Sequence, residues 1–315
     1  MSDILGIDTS CYTTSVAVVN TSQQLIMEHR QLLQVPLGSK GLQQSWAVFQ
    51  HMKNLPVLLD KVAAKINFHK ISTVVVSNRP RPAINSYMPV FQVGLNFAKT
   101  VSTILQVPVK LTSHQEGHIM AGLWSANVGL LKRFITVHLS GGTSEILLVE
   151  KLENEETVFN VNLLGSTKDI SAGQLVDRVG VAMGFPFPCG YYIEDLAKNA
   201  QGTITIPSTV KNTDFSFSGA EAQAKRLLEN GENKAEIARA IESCIAKTIE
   251  KAILKATEKF NCSDVLVVGG VASNQFIKAR LCSRLQHKSF GIKTYFAESR
   301  YSSDNAVGCA LIGIL

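Results

Sequence analysis

The order of apolar and polar positions along this chain alternates between short β-branched runs and longer segments with helical spacing. Residues 4–20 hold two apolar, β-branched runs around the small polar group Asp8-Thr9-Ser10, which predicts a β-hairpin with a polar tip. Residues 41–65 carry apolar side chains at helical spacing, and we expect Pro56 to kink that helix or split it in two. The other elements predicted in this half are strands at residues 22–34, 71–77 and 107–111 and a helix at residues 89–105.

The second half of the chain begins with the same pattern. A strand at residues 134–139, a small polar turn and a strand at residues 146–150 predict a second hairpin, after a linker at residues 126–133. Because both halves open on a hairpin with a small polar tip, the pattern indicates a duplicated α/β architecture. Further strands are predicted at residues 158–164, 214–219, 265–268 and 292–296, and helices at residues 169–183, from Tyr192, at 234–260 and at 306–315.

Length and composition bound the class of protein. A chain of 315 residues exceeds the usual size of one domain, which favours two lobes. Apolar residues make up 45% of the sequence, enough for a full hydrophobic core and too many for a disordered chain. No apolar run reaches the roughly 18–20 residues of a membrane span, and the first residues lack the positive charge of a signal peptide. We therefore expect a cytoplasmic protein with no membrane partner.

The cysteines and the net charge exclude two kinds of site and leave one class of partner open. Six cysteines are scattered without a Cys-x-x-Cys pair, which argues against a disulfide framework and against a zinc ribbon. We expect most of them to be buried as small hydrophobic side chains. The formal net charge of +6 is compatible with an RNA or nucleotide partner but does not require one.

Two histidines four residues apart are the first candidates for chemistry. His114 and His118 enclose Gln, Glu and Gly, and on a helix they would share one face with Cβ atoms about 5–6 Å apart. Two imidazoles at that spacing could hold one metal ion, but a pair of solvated or buried structural histidines fits it equally. The order is not His-Glu-x-x-His, so the general base of zinc proteases is missing and a third ligand must come from elsewhere. His51, in the first predicted helix, is expected to be a solvated or core histidine.

Three polar turns that follow predicted strands could meet an anion or a metal. The hydroxyls and amides of residues 8–10 could face a phosphate or a metal, although an ordinary β-turn explains them as well. Residues 140–143 could form an anion-binding nest or a plain Gly-Gly hairpin. Residues 269–274 form a strand–glycine turn–helix junction that suits a nucleotide, but such glycine pairs are common. Asp304 alone is best explained as the N-cap of the last helix.

Six short motifs in a fixed order resemble one family. They are Gly6-Ile7-Asp8-Thr9-Ser10-Cys11, His114-Gln115-Glu116-Gly117-His118, Ser140-Gly141-Gly142, Asp214-Phe215-Ser216-Phe217-Ser218-Gly219, Gly269-Gly270-Val271-Ala272-Ser273-Asn274 and Ser303-Asp304-Asn305. Each motif is weak alone, but their order over nearly the whole chain resembles the TsaD family of tRNA threonylcarbamoyl transferases, formerly described as O-sialoglycoprotein endopeptidases. That family belongs to the actin-like ATPase superfamily, which also holds sugar kinases.

The resemblance implies a fold and a metal site. The fold would be α/β, with two actin-like lobes of duplicated mixed sheets at residues 1–125 and 126–315, a nucleotide in the cleft between them and the last helix closing back toward that cleft. One divalent metal per chain, iron or zinc, would be bound by His114, His118 and Asp304. Such a ligand set leaves coordination positions open for a substrate, as a catalytic site requires.

The resemblance also implies an adenine-nucleotide site and a reaction. ATP or an acyl-adenylate would be bound, and in the family the donor is threonylcarbamoyl-AMP. The acceptor is the exocyclic amine of the adenosine beside the tRNA anticodon, and the family usually works in a complex with other subunits. No nucleophile with a paired base supports a protease. The candidate catalytic residues are Asp8 and Ser10, and the candidate adenylate-binding residues are Ser140, Gly141, Gly142, Thr143, Asp177, Gly190, Glu194, Gly269, Gly270 and Asn274.

The chain departs from the family pattern in four places. The family sequence Cys-Asp-Glu-Thr is Cys11-Tyr12-Thr13-Thr14 here, and Gly-Gly-His-Thr is Gly141-Gly142-Thr143-Ser144. A Gly-Pro-Gly loop is replaced by Arg79-Pro80-Arg81-Pro82, and Tyr-Pro-Gly-Gly-Pro is altered across residues 185–191. Three hypotheses stay open: the tRNA-modifying transferase, a divergent paralogue that transfers a carbamoyl-type group to another acceptor, and a non-catalytic partner subunit. The retained histidines and Asp304 count against the third, and the lost acids count against the first.

Overall fold

The computed structural model of the protein describes residues 2–10, 12–35, 42–83, 85–153, 157–287 and 290–315. Its backbone falls into two compact units. The N-terminal unit comprises Met1–Ser125, Lys151–Asn160 and Asp304–Leu315, and the C-terminal unit comprises Ala126–Glu150 and Val161–Ser303. The last twelve residues therefore pack with the N-terminal unit.

The N-terminal unit is built on a mixed five-stranded sheet. Its strands are β1 (Asp3–Asp8), β2 (Thr13–Asn20), β3 (Leu25–Leu32), β4 (Ile71–Arg79) and β5 (Val109–Ser113). The spatial order is β3-β2-β1-β4-β5, with antiparallel pairing from β3 to β1 and parallel pairing from β1 to β5. Its helices are α1 (Gln44–Ala63), α2 (Val90–Leu105), α3 (His114–Ser125) and, from the C-terminus, α10 (Val307–Ile312).

The C-terminal unit repeats this topology. Its large sheet contains β6 (Arg133–Leu139), β7 (Ser144–Lys151), β8 (Phe159–Ser166), β11 (Asp264–Val268) and β12 (Lys293–Phe296), in the spatial order β12-β11-β6-β7-β8. The pair β6–β7 is antiparallel, and β11 pairs in parallel with both β6 and β12. The first strand of each sheet therefore has a hairpin partner on one side and a parallel strand on the other. This confirms the duplicated mixed sheets predicted from the two hairpins.

Helices cover the second sheet, and a small hairpin lies beside it. The helices are α4 (Ala172–Ala182), α5 (Gly190–Ala197), α6 (Ser218–Glu229), α7 (Lys234–Phe260), α8 (Gln275–Leu285) and the short α9 (Ser299–Ser302), and the hairpin strands are β9 (Thr209–Lys211) and β10 (Asp214–Ser216). The large core of this unit packs α4, α5 and α7 against the sheet through residues such as Leu175, Ile241 and Val267.

Two predicted helices are corrected by the structure. Pro56 lies inside α1, which runs without a break, so the predicted split is wrong; its predicted start at Gly41 lies outside the described residues. The helix predicted from Asp169 begins only at Ala172, because the Asp169 carboxylate accepts hydrogen bonds from the backbone N–H groups of Ile170, Phe217 and Ser218. Those bonds hold Asp169 in the loop, and Ser171 caps the helix instead.

The described cysteines agree with the expectation that most of them are buried. The five described cysteines are free, and four of them are buried, while Cys11 lies outside the described residues. No helix in the described part of the chain is both long and apolar enough to cross a membrane.

Candidate metal and adenylate sites

The helix that carries the two histidines begins directly at the end of a strand. Strand β5 ends at Ser113 and α3 starts at His114. The Glu116 carboxylate accepts hydrogen bonds from the Ser113 N–H at 2.9 Å and the Ser113 hydroxyl at 2.7 Å, and the Glu116 N–H donates to the Ser113 hydroxyl. This is a capping box, which satisfies backbone donors at the helix start. The acid between the two histidines is therefore committed to the helix end and is buried there.

A close contact between two helices brings the C-terminus to the histidines. A Cβ added to Gly308 would collide with the backbone of Gly117, and one added to Gly117 would lie 3.3 Å from the Cys309 sulfur. Only glycine at position 308 lets α10 lie this close to α3. Asp304, three residues before α10, is thereby placed at the first turn of α3.

Changing Gly308 to alanine is expected to destabilise the N-terminal unit. The new methyl group meets the Gly117 carbonyl, which is backbone and cannot move aside. We expect a loss of about 1–3 kcal/mol or more in the free energy of unfolding, net of the roughly 1 kcal/mol that alanine gains in helix propensity. Urea denaturation measures the change. Gly219, a helical glycine with open space around it, is the matched control, and equal stability of both alanine variants would contradict the packing argument.

Three side chains converge at the start of α3. The His114 and His118 Nε2 atoms are 3.0 Å apart, and the Asp304 Oδ1 atom lies 3.5 Å from the first and 3.4 Å from the second. Their donor atoms lie within 4.8 Å of one another, and within the described ranges no other group of three such residues meets this criterion. Ligands about 2.0–2.2 Å from a tetrahedral centre lie about 3.3–3.6 Å from each other. The two separations to Asp304 fall in this range, and the two imidazole nitrogens, at 3.0 Å, would have to move slightly apart to share a metal ion.

Asp8 lies behind this cluster. Its Oδ1 atom is 3.3 Å from the His114 Nδ1 atom and accepts a hydrogen bond from the Ser77 hydroxyl, and its Oδ2 atom accepts one from the Ser10 hydroxyl. Asp8 and Ser10 are completely buried. The predicted catalytic pair thus lies together, but both oxygens of Asp8 are occupied. A carboxylate on the far nitrogen of a ligating histidine fixes the ring's orientation and tautomer.

The charges in the cluster shift the pKa of each member. Burial alone would raise the pKa of the Asp304 and Asp8 carboxyls, but the neighbouring histidines outweigh it and lower both. Burial alone would lower the pKa of His114, but Asp8 and Asp304 raise it overall. Burial and the nearby His114 lower the pKa of His118. The two carboxylates are thus anionic and face the pair of imidazoles.

Asp304 does not cap the last helix, as the sequence alone suggested. The N-cap position of α10 is Ala306, and the Val307 N–H is bonded by the Asn305 Oδ1 atom at 3.0 Å. The Ser15 hydroxyl accepts from the Ala306 N–H at 2.9 Å. Because these groups satisfy the helix end, the Asp304 carboxylate is available to the histidines.

His51 belongs to the core rather than to the cluster. It is fully buried, and its Nδ1 atom lies 2.8 Å from the Thr14 hydroxyl. Burial lowers the pKa of His51 to about 4, so the ring is neutral. This confirms the expectation of a structural histidine.

The predicted anion nest is a tight turn after β6. The Ser140 N–H donates to the Thr143 carbonyl at 2.7 Å, and the Thr143 N–H donates to the Ser140 hydroxyl at 3.0 Å. Gly141 and Gly142 are exposed, and a Cβ added to either would meet nothing within 4 Å. The protein itself therefore does not require glycine at these two positions, and the space beside them is open.

The start of α4 lies against this turn. The Gly173 N–H donates to the Ser140 carbonyl at 3.2 Å, and the Ser171 hydroxyl donates to the Gly141 carbonyl at 2.7 Å. A Cβ on Gly173 would lie 2.5 Å from the Gly141 Cα atom, so only glycine allows this approach. The first three N–H groups of α4 already donate to oxygens of the protein, so this helix end offers an anion its positive dipole.

The other predicted adenylate residues are linked through their neighbours. The Asp177 carboxylate, on α4, accepts from the Cys189 N–H at 2.7 Å and so lies beside Gly190, which is exposed and open. Burial raises the pKa of Asp177. The Glu194 carboxylate accepts from the Gln275 N–H at 2.8 Å, next to Asn274.

Gly269 and Gly270 differ in whether the fold requires glycine at the position. Strands β6 and β11 are parallel neighbours, so the turns that follow them meet at one edge of the sheet. Gly269 has φ +101°, and a Cβ there would collide with the Leu139 backbone, so this glycine is required by the fold. Gly270 has open space around it and begins a short 3-10 turn.

The Asn274 side chain is held from both ends. Its Oδ1 atom accepts from the Ile277 N–H at 2.9 Å as the N-cap of α8, and its Nδ2 atom donates to the buried Glu242 carboxylate at 2.6 Å. Its backbone is bonded as well, because the Asn274 N–H donates to the Val271 carbonyl at 3.2 Å and its carbonyl accepts from the Lys278 N–H at 3.0 Å. Arg239 donates to the second Glu242 oxygen at 2.7 Å.

Glu242 is expected to make stability depend on pH. Burial raises its pKa from 4.5 to about 7 despite the bonds from Asn274 and Arg239. Between these two values the folded protein keeps a proton that the unfolded chain has lost, so stability falls as pH rises through this window. The full effect is about 3 kcal/mol. Glu242→Gln should therefore be more stabilising, relative to wild type, at pH 8 than at pH 5 in urea denaturation. An equal effect at both values would contradict the raised pKa.

Comparison with known proteins identifies the family. The model of the family tRNA N6-adenosine threonylcarbamoyltransferase, TsaD, matches residues 38–311. The chain belongs to this family. A curated member from Thermus thermophilus is 30% identical over 312 residues, covering 98% of this chain and 91% of the relative. TsaD proteins are transferases, so the chain belongs to an enzyme family.

Solved structures support the actin-like fold. Full-length HypF, solved in a phosphate- and nucleotide-bound form, superposes with a TM-score of 0.63 at 13% identity, covering 99% of this chain and 46% of that one. A ROK family glucokinase from Streptomyces griseus gives a TM-score of 0.54 at 11% identity, covering 99% of both chains. At these identities the likeness shows the fold alone.

The departures from the TsaD pattern have clear local structures. Thr13 and Thr14, where the family has Glu-Thr, are buried in β2, while Tyr12 is 37% exposed. The Pro80 carbonyl accepts from the Gln115 N–H at 3.0 Å, so the altered loop at residues 79–82 touches the first turn of α3.

The sequence patterns did not identify several residues that position the candidate sites. Glu116 and Gln174 complete capping boxes with Ser113 and Ser171, and the Ser-x-x-Glu and Ser-x-x-Gln spacings were a readable signal for both. Ser77, Gly173 and Gly308 act through contacts between segments distant in sequence, and no local pattern marks them.

Proposed function

We propose that this protein is a metal-dependent transferase that moves a threonylcarbamoyl group from threonylcarbamoyl-AMP to the N6 amine of the tRNA adenosine beside the anticodon. The observation that carries the proposal is the convergence of His114, His118 and Asp304, backed by Asp8, in a chain of the TsaD family. An inert partner subunit would have no need to keep this donor set together.

The donor set fits a single divalent metal. Two imidazole nitrogens and one carboxylate oxygen suit zinc or iron(II), and three protein ligands leave coordination positions open. When bound, such a metal supplies a Lewis acid that polarises or anchors a carbonyl group. His114, His118 and Asp304 would hold it, and Asp8 would act through His114, as a positioning residue that keeps the Nε2 atom directed at the other two ligands.

The turn of Ser140, Gly141, Gly142 and Thr143 would hold the adenylate phosphate. Its open glycines admit close approach of an anion, and the adjoining N-terminus of α4 adds its positive dipole. The remaining adenylate residues, which lie along α4, α5 and the turn after β11, would hold the nucleoside. They are Asp177, Gly190, Glu194, Gly269, Gly270 and Asn274, with Gly269 acting through the backbone conformation of its turn.

The proposed reaction needs no covalent enzyme intermediate. The N6 nitrogen forms a bond to the carbamoyl carbon, the bond from that carbon to the phosphate oxygen breaks, and AMP leaves. One proton leaves the attacking amine. A tRNA acceptor would place the reaction in the cytoplasm, and we propose that other subunits of a tRNA-modification complex take part, as in the family.

A second candidate function is carbamoyl-type transfer to another acceptor. The observation that favours it is the loss of the two family acids after Cys11, where Tyr12 and the buried Thr13 stand. The metal and adenylate positions are kept, whereas these positions near the acceptor are changed.

A transfer assay separates the two candidates. Wild-type protein loaded with iron or zinc is incubated with threonylcarbamoyl-AMP and tRNA, with and without the subunits that co-purify with it. The tRNA is then digested and its nucleosides are analysed by mass spectrometry. The proposal predicts threonylcarbamoyladenosine with wild type and none with His118→Ala. Consumption of the donor without any modified nucleoside would favour another acceptor, and an intact donor in all samples would refute both.

A further inference from the structure

A polar groove on the C-terminal unit adjoins the predicted adenylate residue Asn274, but none of the predicted adenylate residues lines it. It is a cavity of about 370 Å³ between helix α7 and the segment at residues 200–205, and Phe276 of α8 also lines it. The segment is fixed in place, because the Glu236 carboxylate accepts hydrogen bonds from the N–H groups of Gln201, Gly202 and Thr203 at 2.6–2.9 Å. The groove therefore has a rigid wall.

The floor of this groove is cationic. Arg239, Ser243 and Lys247 follow one another at four-residue spacing on α7, so they share one face of the helix. Arg239 is paired with Glu242, but Lys247 has no carboxylate within ion-pair distance in the part of the chain that the structure describes. None of the described residues that line the groove is acidic. It therefore presents an uncompensated positive charge and a hydroxyl, which suit a phosphate.

A second cationic groove continues on α8 and shares Phe276. It has a volume of about 240 Å³ and is lined by Arg280 and Arg284. Both arginines pair with the single Glu250 carboxylate, at 2.9 and 3.0 Å. One carboxylate cannot neutralise two guanidinium groups, so this groove also keeps a net positive charge. The cationic surface thus extends over both helices and is longer than one phosphate needs.

A stacked pair of side chains joins the two grooves. The Arg239 guanidinium carbon lies 3.9 Å from the centroid of the half-buried Phe276 ring. Aromatic rings and guanidinium planes are the side-chain surfaces on which nucleobases stack, and single-stranded nucleic acids are bound by such surfaces interleaved with basic groups. An acidic peptide would pair with the basic side chains but would not need the flat surface that Arg239 and Phe276 form together.

We propose that these two grooves bind a single-stranded segment of RNA. Phosphates lie at Lys247 in the first groove and at Arg280 and Arg284 in the second, and a base stacks on the Arg239–Phe276 pair. The inference rests on the proposed function in so far as the RNA is the tRNA acceptor. It assigns to the C-terminal unit a contact with tRNA that is separate from the reacting adenosine.

Equilibrium binding of fluorescent tRNA over a series of salt concentrations tests the proposal. Lys247→Ala should weaken binding about tenfold and reduce the slope of log affinity against log salt by about 0.7–0.9, because one phosphate contact is lost. Phe276→Leu should weaken binding about 5- to 100-fold with the slope unchanged, because stacking does not release counterions. Lys99→Ala, an exposed lysine of α2, is the charge-matched control and should change neither quantity.

The outcomes separate this inference from the proposed function. If Lys247→Ala and Phe276→Leu bind tRNA as wild type does, the groove proposal is wrong, whether or not wild type transfers the threonylcarbamoyl group. If both variants lose tRNA binding while wild type yields no modified nucleoside, the groove stands and the proposed function fails. If polyglutamate displaces tRNA as well as a short RNA does and Phe276→Leu has no effect, the surface is a general polyanion site and the proposal is overturned.

Discussion

His114→Ala is expected to lose the bound metal and the transfer activity together. Anaerobically purified wild type should contain about one iron or zinc per chain, and the variant should contain almost none, because three protein ligands fall to two. Loss of a residue that hydrogen-bonds to a metal ligand lowers metal affinity about 10–100-fold, and loss of the ligand itself should lower it more than about 100-fold. Elemental analysis after dialysis measures the content.

A second histidine provides the control for that experiment. His69→Ala removes an exposed histidine from the short 3-10 turn before β4 and should leave the metal content unchanged. Metal-free wild type, despite added iron and zinc, would contradict the site and favour an inert partner subunit. Full metal content in His114→Ala would show that the ion is bound elsewhere.

Gly142→Ala is expected to block the adenylate while leaving the fold intact. No protein atom lies within 4 Å of the added methyl group, and the backbone of Gly142 has no positive φ, so the free energy of unfolding should change by less than about 0.5 kcal/mol. The methyl group would instead occupy the space proposed for the phosphate. We expect the affinity for ATP or for a stable acyl-adenylate analogue to fall at least about tenfold, as measured by calorimetry.

Alanine substitutions at two other glycines serve as comparisons for Gly142→Ala. Gly173→Ala should lower stability and adenylate affinity together, because its methyl group collides with the turn at Ser140 and Gly141. Gly219→Ala, at an open helical position, should leave the adenylate affinity unchanged and should not lower stability. If Gly142→Ala binds the adenylate with wild-type affinity, the turn is a plain hairpin tip and the phosphate lies elsewhere.

The two sheets share a topology but differ in the turn that follows the first strand. In each, a small polar turn follows the first strand, at the edge where the neighbouring parallel strand also ends. In the N-terminal unit the hydroxyl groups of that turn are hydrogen-bonded within the protein. The Thr9 hydroxyl donates to the Val90 carbonyl and accepts from the Gly94 N–H, and the Ser10 hydroxyl donates to the Asp8 carboxylate. In the C-terminal unit the turn at Gly141 and Gly142 is open.

Periodic patterns in the sequence predicted most of the elements. The helix at residues 234–260 was placed at its observed ends, because it is long, amphipathic and flanked by Asn233 and Asn261, which cap it. The two hairpins were found because β-branched runs on either side of a small polar group leave few alternatives. The histidine pair was found because its spacing matches one helical turn.

The parts that could not be predicted depend on contacts between distant segments. Asp304 has the local sequence of an N-cap, and only the approach of α10 to α3 at Gly308 and Gly117 gives it another role. Asn274 sits where a nucleotide contact was expected, but its side chain is held by Glu242, from a helix earlier in the chain. Local propensity carries no information about such pairings.

The most direct test of the account is to measure transfer and metal content in the same samples. Wild-type protein is prepared with graded metal occupancy, by partial chelation and reloading, and each sample is assayed with threonylcarbamoyl-AMP and tRNA. Because the transfer is proposed to depend on the metal, the yield of threonylcarbamoyladenosine should rise in proportion to the metal bound at His114, His118 and Asp304. The yield should vanish in the metal-free protein. An undiminished yield from metal-free protein would contradict it.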